Sequence, residues 1–364
     1  MQIDMHYYGV YALARAAGMK PEFAEIVATA SQFVDDNEKK GNLEFCDGGR
    51  LDFEATAHHY IDFKNVDKED QRQIWVPFHF LPGGIDDDDY ADRLICRIGD
   101  ENNAVVTALK SYVLADLHEK FSLSLVGSFA HIYADTFSHY GFCGISDPVN
   151  QVKNDEFVFY NIHDGHKRTL LDKIKAFRAR YPKEGGALQV FKSFFAENIT
   201  GALGHGAVLV YPDLPYLSWS FIYDADGRFS GVRDNQKTFL LGCRALYDFF
   251  REVLSANPDF SIGTTREFAD IEDRVKRILT VRGDKVVRAQ AWKQAAAAQQ
   301  LYDGLGGIPD YDRDFWVDRR ERLIDTDDSK HVASMPIYRF YQAVAVLRNT
   351  ILRKVLPAFG LIVA

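Results

Sequence analysis

Residues 121–142 read FSLSLVGSFAHIYADTFSHYGF, and this stretch decides the fold. Apolar side chains occupy most of its positions and leave few outward faces, which predicts a helix over 121–140 at the centre of the protein. His131, Asp135 and His139 follow one another at four-residue spacing. At roughly 100° per residue, their side chains stay within an arc of about 80°. The sequence therefore predicts a polar stripe on a buried helix.

Helical periodicity elsewhere predicts a mostly α fold. The other predicted helices span 5–17, 22–34, 104–118, 167–180, 187–211, 236–255, 264–280, 284–302 and 331–356. Residues 38–103 are glycine-rich and acidic and lack a sustained period, so we expect a long ordered loop excursion between helices two and three, with one short strand. The expected architecture is a multi-helix bundle around a single core. Residues 1–256 would form the metal-binding unit, and residues 257–364 a helical extension or further helices on the same core.

Composition excludes several classes of protein. The chain has 364 residues, 47% of them apolar, and a formal net charge of −9. A disordered chain and a general nucleic-acid-binding surface are both excluded, because the first is poor in apolar residues and the second is basic. No stretch approaches the roughly 18–20 apolar residues of a membrane span, and the first residues do not resemble a secretory signal. Four widely spaced cysteines predict free thiols and a cytoplasmic protein, so that a metal site would use His, Asp and Glu.

The polar stripe predicts a metal site. A buried carboxylate between two imidazoles costs several kcal/mol unless it is compensated. A divalent cation bound by neutral imidazoles and the Asp135 carboxylate would neutralise the stripe. Alternatively, Asp135 forms an ion pair with one protonated histidine while the other histidine is hydrogen-bonded in the core. Three ligand side chains at i, i+4 and i+8 favour the metal.

Other segments must complete such a site. His205 is the only ionisable residue between Ile199 and Tyr211, in a stretch rich in glycine, and His79 lies in a rigid loop between two prolines. The further candidate ligands are His6, Asp35, Asp36 and Asp213. Each has an ordinary alternative, such as a core histidine bonded to a carbonyl, a solvated turn or a helix cap.

Several motifs together carry a resemblance to known families. They are Asp4-Met-His6-Tyr-Tyr, Ala30-Ser-Gln-Phe-Val-Asp35-Asp36, Phe78-His79-Phe-Leu-Pro, the helix at 121–142, Gly204-His205 and Pro212-Asp213. Over roughly residues 1–250 the chain resembles an uncharacterised group of bacterial proteins. The pattern His131-x3-Asp135-x3-His139 also resembles the metal helix of the all-α zinc-dependent phospholipase C and single-strand nuclease superfamily. In that superfamily, five residues separate the aspartate from the second histidine, whereas three do here. Its members also have a free N-terminal amine on one metal and a His-x3-Glu on a later helix, where this chain has Leu209 in place of the glutamate.

The resemblance implies an all-α site for two or three divalent ions, with zinc expected and manganese or iron as alternatives. The resulting hypothesis is a metal-dependent hydrolase acting on a small-molecule or phosphoester substrate, with Asp135 as the bridging carboxylate. Arg233 and Lys110 are candidates for stabilising negative charge. Two alternatives stay open: a non-enzymatic helical protein with a structural metal, and an HD-type phosphohydrolase built on His163-Asp164.

Overall fold

The computed structural model describes residues 1–58, 67–84, 93–153, 156–162, 172, 203–304 and 306–363. Helices predominate among them, so the prediction of a mostly α protein is confirmed. Apart from residue 172, the helix predicted over 167–180 lies outside the described residues, as does most of the helix predicted over 187–211. Within these described ranges, none of the helices combines the length and the apolar character that a membrane crossing requires.

Long helices occur in both halves of the chain. A π-helical turn at Asp4–Gly9 continues directly into α1 (Val10–Ala16). Helix α2 (Pro21–Asp36) has its proline in the first turn, where the missing N–H leaves no hydrogen bond unmade. The later long helices are α3 (Ala104–Ala115), α4 (Ser122–His139), α5 (Asn235–Ala256), α6 (Phe268–Leu279), α7 (Lys285–Ala297), α8 (Asp314–Glu321) and α9 (Pro336–Thr350).

Helices α2 and α4 pack directly against each other, and Gly127 sets their separation. A Cβ at this glycine would overlap the carbonyl oxygen of Val27 and lie 2.7 Å from the Cβ of Ala30. Every residue of α4 from position 124 to position 139 is buried, so its polar side chains face protein on all sides. The close approach also brings the carbonyl oxygen of Ser31 to 2.9 Å from Nδ1 of His131.

The excursion at 38–103 contains more regular structure than a loop with one short strand. Its described part begins with an antiparallel hairpin of β1 (Gly41–Glu44) and β2 (Arg50–Phe53). A helical segment follows, assembled from Lys68–Asp70, Gln71–Trp75 and Val76–Phe78. The expectation that residues 38–103 contain no helix was therefore wrong. Pro77 hid the helical pattern in the sequence, because proline usually interrupts a helix. Here it lies in the first turn of Val76–Phe78, where proline is tolerated.

The C-terminal helices pack into the same core as the N-terminal ones. Buried side chains from α1 to α9 form one large cluster, to which Trp292, Trp316 and Phe340 contribute. A smaller cluster, which includes Trp219 and Phe221, surrounds an antiparallel sheet. The strand order of that sheet is β3 (Val158–Phe159), β4 (Ser218–Ser220) and β5 (Arg233–Asp234). Among the described residues, the apolar interior therefore has a larger and a smaller part.

The described end of the helix predicted over 187–211 is not a continuous helix. Residues 203–213 form turns with two short 3₁₀ segments, Gly206–Val208 and Tyr211–Asp213. Gly204 and Leu209 both have a φ of 54°, which interrupts a right-handed helix. A side chain at Gly204 would also collide with the ring of Phe80. The turns therefore hold the chain close to the C-terminal end of α4.

Substituting Gly127→Ala tests the contact between α2 and α4. We expect a loss of about 1–3 kcal/mol in the free energy of unfolding, because the new methyl group has no room beside Val27. The measurement is urea denaturation followed by circular dichroism. Gly41→Ala is the control, since a Cβ there meets only Phe53 at 3.7 Å. A Gly127→Ala variant that unfolds at the same urea concentration as the wild type would contradict this account of the packing.

Candidate metal centre

Polar side chains from five parts of the chain meet beside the C-terminal half of α4. Helix α4 contributes the predicted stripe, and each of the neighbouring elements adds one or two more groups. The contributors are His6 from the π-helical turn, Asp35 from α2, His79 after the helical segment, His131, Asp135 and His139 from α4, and His205 and Asp213 from the turns at 203–213. The structure thus brings together all of the predicted ligands except Asp36.

The carboxylate of Asp135 lies in the middle of this cluster and is 1% exposed. Its Oδ1 is 3.1 Å from Nε2 of His6. Its Oδ2 is 3.2 Å from Nε2 of His131 and 3.3 Å from Nδ1 of His79. Nδ1 of His139 is 3.5 Å from the same oxygen. One carboxylate therefore lies close to four imidazoles.

Backbone carbonyls fix the tautomers of His131 and His79. Nδ1 of His131 donates to the carbonyl oxygen of Ser31 at 2.9 Å, and Nε2 of His79 donates to that of Thr56 at 2.9 Å. A carbonyl oxygen can only accept, so these ring nitrogens carry the protons. In the neutral imidazoles, the other nitrogen of each ring then presents its lone pair to Asp135.

The same arrangement holds on the other side of Asp135. Nδ1 of His139 donates to the carbonyl oxygen of His79 at 2.8 Å, and Nδ1 of His205 donates to that of Leu209 at 2.7 Å. The free Nε2 atoms of both rings face Asp213, at 3.2 Å from His139 and 3.7 Å from His205. A histidine that binds a metal usually donates its second N–H in this way.

The ring nitrogens of His131 and His79 that do not bond to a carbonyl face each other and the carboxylate of Asp135. Nε2 of His131 and Nδ1 of His79 are 3.2 Å apart, and both are within 3.3 Å of Oδ2 of Asp135. Three lone-pair-bearing atoms at this separation repel one another unless a cation or a proton lies among them. His6 adds a further buried ring, which stacks on His131 and makes no hydrogen bond with any described residue.

The ligand atoms fall into three groups that could each hold an ion. In each group, the side chains offer atoms that all lie within 4.8 Å of one another. The groups are His6, Asp35 and His131; His79, His131 and Asp135; and His139, His205 and Asp213. The first two groups share His131, and Asp135 of the second group lies 3.5 Å from His139 of the third. Imidazole nitrogen and carboxylate oxygen are donors that suit zinc, manganese or iron.

The α-amino group of Met1 also lies in the cluster. It donates to Oδ1 of Asp135 at 2.5 Å and is 3.2 Å from both Oδ1 of Asp213 and Nε2 of His139. Burial lowers the pKa of this amine, but Asp135 and Asp213 outweigh burial and raise it to about 11. This amine was not among the predicted ligands, although the superfamily that the α4 pattern resembles has a free N-terminal amine on one metal.

Burial and nearby charges set the protonation states of the cluster, and they differ from one histidine to another. Burial lowers the pKa of His139 to about 4 and that of His6 well below its usual value, so both are neutral at pH 7. Burial also opposes ionisation of Asp135, yet the surrounding positive groups hold its pKa well below the usual range. The pKa of His131 is raised, because Asp135 and Asp35 outweigh burial.

Carboxylates outnumber the amine in the cluster. Asp35, Asp135 and Asp213 supply three carboxylates, and only at Asp35 does burial outweigh the nearby positive groups and raise the pKa. Within the described part of the chain, no lysine or arginine side chain lies within ion-pair distance of any of the three. The amine of Met1 supplies one positive charge. Bound cations or protonated imidazoles would balance the remaining carboxylate charge.

The other predicted residues lie outside these groups. Asp36 accepts hydrogen bonds from the hydroxyl of Tyr311 at 2.7 Å and from Nε2 of Gln32 at 3.3 Å. Arg233 is buried and donates to the carbonyl oxygens of Ser138 and Tyr140 at the end of α4, at 2.8 and 2.7 Å.

The remaining candidates lie elsewhere. Lys110 forms an ion pair with Glu252 at 2.7 Å on the surface. Neither Lys110 nor Arg233 therefore reaches the cluster as a counter-charge. The dyad His163-Asp164 of the HD-type alternative lies outside the described residues.

Comparison with known proteins places the chain in an uncharacterised family. Residues 1–355 match the family described as "Family of unknown function (DUF6765)". No curated protein and no solved structure matches the chain. The expected likeness to an uncharacterised family is thereby confirmed over a longer stretch than residues 1–250. The likeness to the zinc-dependent phospholipase C and nuclease superfamily finds no support in these comparisons.

Metal titration tests the cluster directly. We expect Zn²⁺, Mn²⁺ or Fe²⁺ to raise the melting temperature of chelator-treated protein, since a ligand at 100 times its Kd stabilises by about 2.7 kcal/mol. Asp135→Asn should remove most of this shift, because Asp135 contacts the other ligands. Asp273→Asn, at an 86% exposed side chain on α6, makes the same charge change and should retain the shift. Equal shifts in the two variants, or no shift in the wild type, would refute the metal interpretation.

Arg233→Met and Lys110→Met form a second matched pair. Arg233→Met leaves two carbonyl oxygens at the end of α4 without their donor, so we expect a loss of about 1–3 kcal/mol in unfolding free energy. Lys110→Met breaks a partly exposed ion pair, for which about 0–1 kcal/mol is typical. Chemical denaturation measures both. If Lys110→Met were the more damaging change, the assignment of Arg233 to the end of α4 would be wrong.

Proposed function

We propose that this chain, which belongs to the DUF6765 family of unknown function, is a metal-dependent hydrolase that acts on a phosphoester. It would bind two or three divalent ions, with zinc expected and manganese or iron as alternatives. Asp135 would bridge two of the ions. His6, Asp35, His79 and His131 would bind on one side of Asp135, and His139, His205 and Asp213 on the other side.

The observation that carries the proposal is the orientation of the histidines. Four rings donate one N–H to a backbone carbonyl and turn the other nitrogen toward Asp135 or Asp213. A carbonyl partner of this kind fixes the ring and the tautomer, as in many known metal sites. Ordinary core histidines would not be expected to point four lone pairs at buried carboxylates, because each such contact without a cation is unfavourable.

An opening to the cluster favours a catalytic site over a purely structural one. Structural zinc sites are closed by four protein ligands, whereas catalytic sites keep a position open. Asp35 is 32% exposed at its side chain, although its partners His6 and His131 are fully buried. It borders a cavity of about 550 Å³. This cavity, the mouth, is lined by Met1, Gln2, Ile3, Gln32, Asp35, Asp36, Lys285, Tyr311 and Arg313.

The chemistry follows from this arrangement. Divalent ions about 3.5–4 Å apart lower the pKa of a bound water and polarise phosphoryl oxygens. Asp135 would link the two sides of the cluster, because its Oδ2 lies 3.2 Å from Nε2 of His131 on one side and 3.5 Å from Nδ1 of His139 on the other. Burial of His139 and His6 keeps both rings neutral and able to bind at pH 7. Asp35 would lie where substrate enters from the mouth.

Activity against chromogenic phosphoesters tests the proposal. The metal content of the purified protein is first measured by elemental analysis. The protein is then assayed with p-nitrophenyl phosphate and bis(p-nitrophenyl) phosphate, with and without chelator. Its affinity tag is placed at the C-terminus, because the α-amino group lies in the cluster. We expect chelator-sensitive hydrolysis. His139→Ala should lower kcat/KM by at least about 100-fold, since second-shell changes alone cost 10–100-fold.

His58→Ala is the matched control for that assay. His58 is also buried and lies 3.2 Å from an aspartate, Asp70, but it belongs to none of the three ligand groups. We expect this variant to keep its metal and most of its activity. Bound metal without hydrolysis of either phosphoester would instead favour a structural metal in a non-enzymatic protein. Absence of bound metal would reject both.

A further inference from the structure

The mouth contains two cations that come from the C-terminal part of the chain. Lys285 is at the first position of α7, and Arg313 directly precedes α8. Both side chains are exposed, and both line the same cavity as Asp35. The positive charges that the sequence suggested, Arg233 and Lys110, are engaged elsewhere. The two cations that line the mouth therefore come from a segment in which no sequence motif predicted a role in binding negative charge.

Neither cation forms an ion pair with any residue in the described ranges, although other lysines of the chain do. Lys293 on α7 pairs with Asp310 at 2.6 Å, and Lys39 pairs with Glu321 at 2.8 Å. Two carboxylates line the mouth, but both have other partners. Asp36 accepts from Tyr311 and Gln32, and the oxygens of Asp35 lie within 4.0 Å of buried imidazole nitrogens. Lys285 and Arg313 are thus left to attract a negative charge from outside.

A buried acceptor in the mouth gives a second, independent indication of a ligand. Gln32 is 5% exposed, and its Nε2 donates to Asp36. Its Oε1 is buried and has no hydrogen-bond partner among the described residues. A buried acceptor without a partner costs free energy, so a hydroxyl group entering the mouth would be stabilised there. The wall of the mouth therefore offers two cations and one acceptor beside Asp35.

We propose that Lys285 and Arg313 are substrate-binding residues, which bind the negatively charged phosphate of the phosphoester at the mouth. This inference rests on the proposed function, because the bound phosphate would lie beside the ions held by Asp35 and its partners. Arginine and lysine attract phosphate through charge-assisted hydrogen bonds. The two residues would determine substrate affinity, while the histidines and carboxylates determine metal content.

Phosphate binding to the metal-loaded protein tests this inference. Isothermal titration with inorganic phosphate compares the wild type with a Lys285→Gln, Arg313→Gln double variant. We expect the variant to bind phosphate at least about tenfold more weakly, since one charge-assisted hydrogen bond accounts for about that factor. Its metal content should equal that of the wild type, because neither residue belongs to a ligand group.

A second double variant controls for net charge. Lys237→Gln with Arg251→Gln makes the same change in net charge at two exposed positions of α5 that do not line the mouth. We expect it to bind phosphate as the wild type does. Equal weakening in both double variants, or wild-type affinity in the mouth variant, would overturn the inference while leaving the metal site intact. A wild-type protein that binds no metal would overturn the proposed function and this inference together.

Discussion

The desolvated carboxylate of Asp135 is the constraint on which the rest of the site depends. A buried, ionised carboxylate is tolerated only where its surroundings supply positive charge or hydrogen-bond donors. Here the surroundings are four imidazoles and one amine; two imidazoles come from α4 itself, and the other groups come from distant parts of the chain. The contact between α2 and α4 at Gly127 also supports this site, because it places the carbonyl oxygen of Ser31 within hydrogen-bond distance of His131.

The centre of the site could be predicted from sequence because its signal is local. His131, Asp135 and His139 repeat every four residues in a helix that is otherwise apolar, and such a contrast has few explanations. His79 and His205 were recognisable for a similar reason, as isolated ionisable residues in apolar surroundings. The helix bounds were accurate where periodicity was strong, as for α4 and α5.

Other parts could not be predicted, for two different physical reasons. The turns around His205 depend on the positive φ of Leu209 and on the contact of Gly204 with Phe80, and both are set by tertiary packing. Lys285 and Arg313 occupy ordinary charged positions in the sequence. Only the folded chain brings them to one cavity with Asp35, so no local pattern could have marked them.

The same long-range packing makes the C-terminal segment part of the site. Arg288 of α7 is buried and pairs with Asp4 at 2.8 Å, in the π-helical turn that carries His6. Removing one partner of a buried ion pair is costly, since the other is left buried without compensation. This pair fixes the turn relative to α7, and α7 also carries Lys285. The position of a predicted metal ligand and that of a cation at the mouth are therefore coupled through one helix, so the segment 257–364 has a physical role at the cluster as well as in the core.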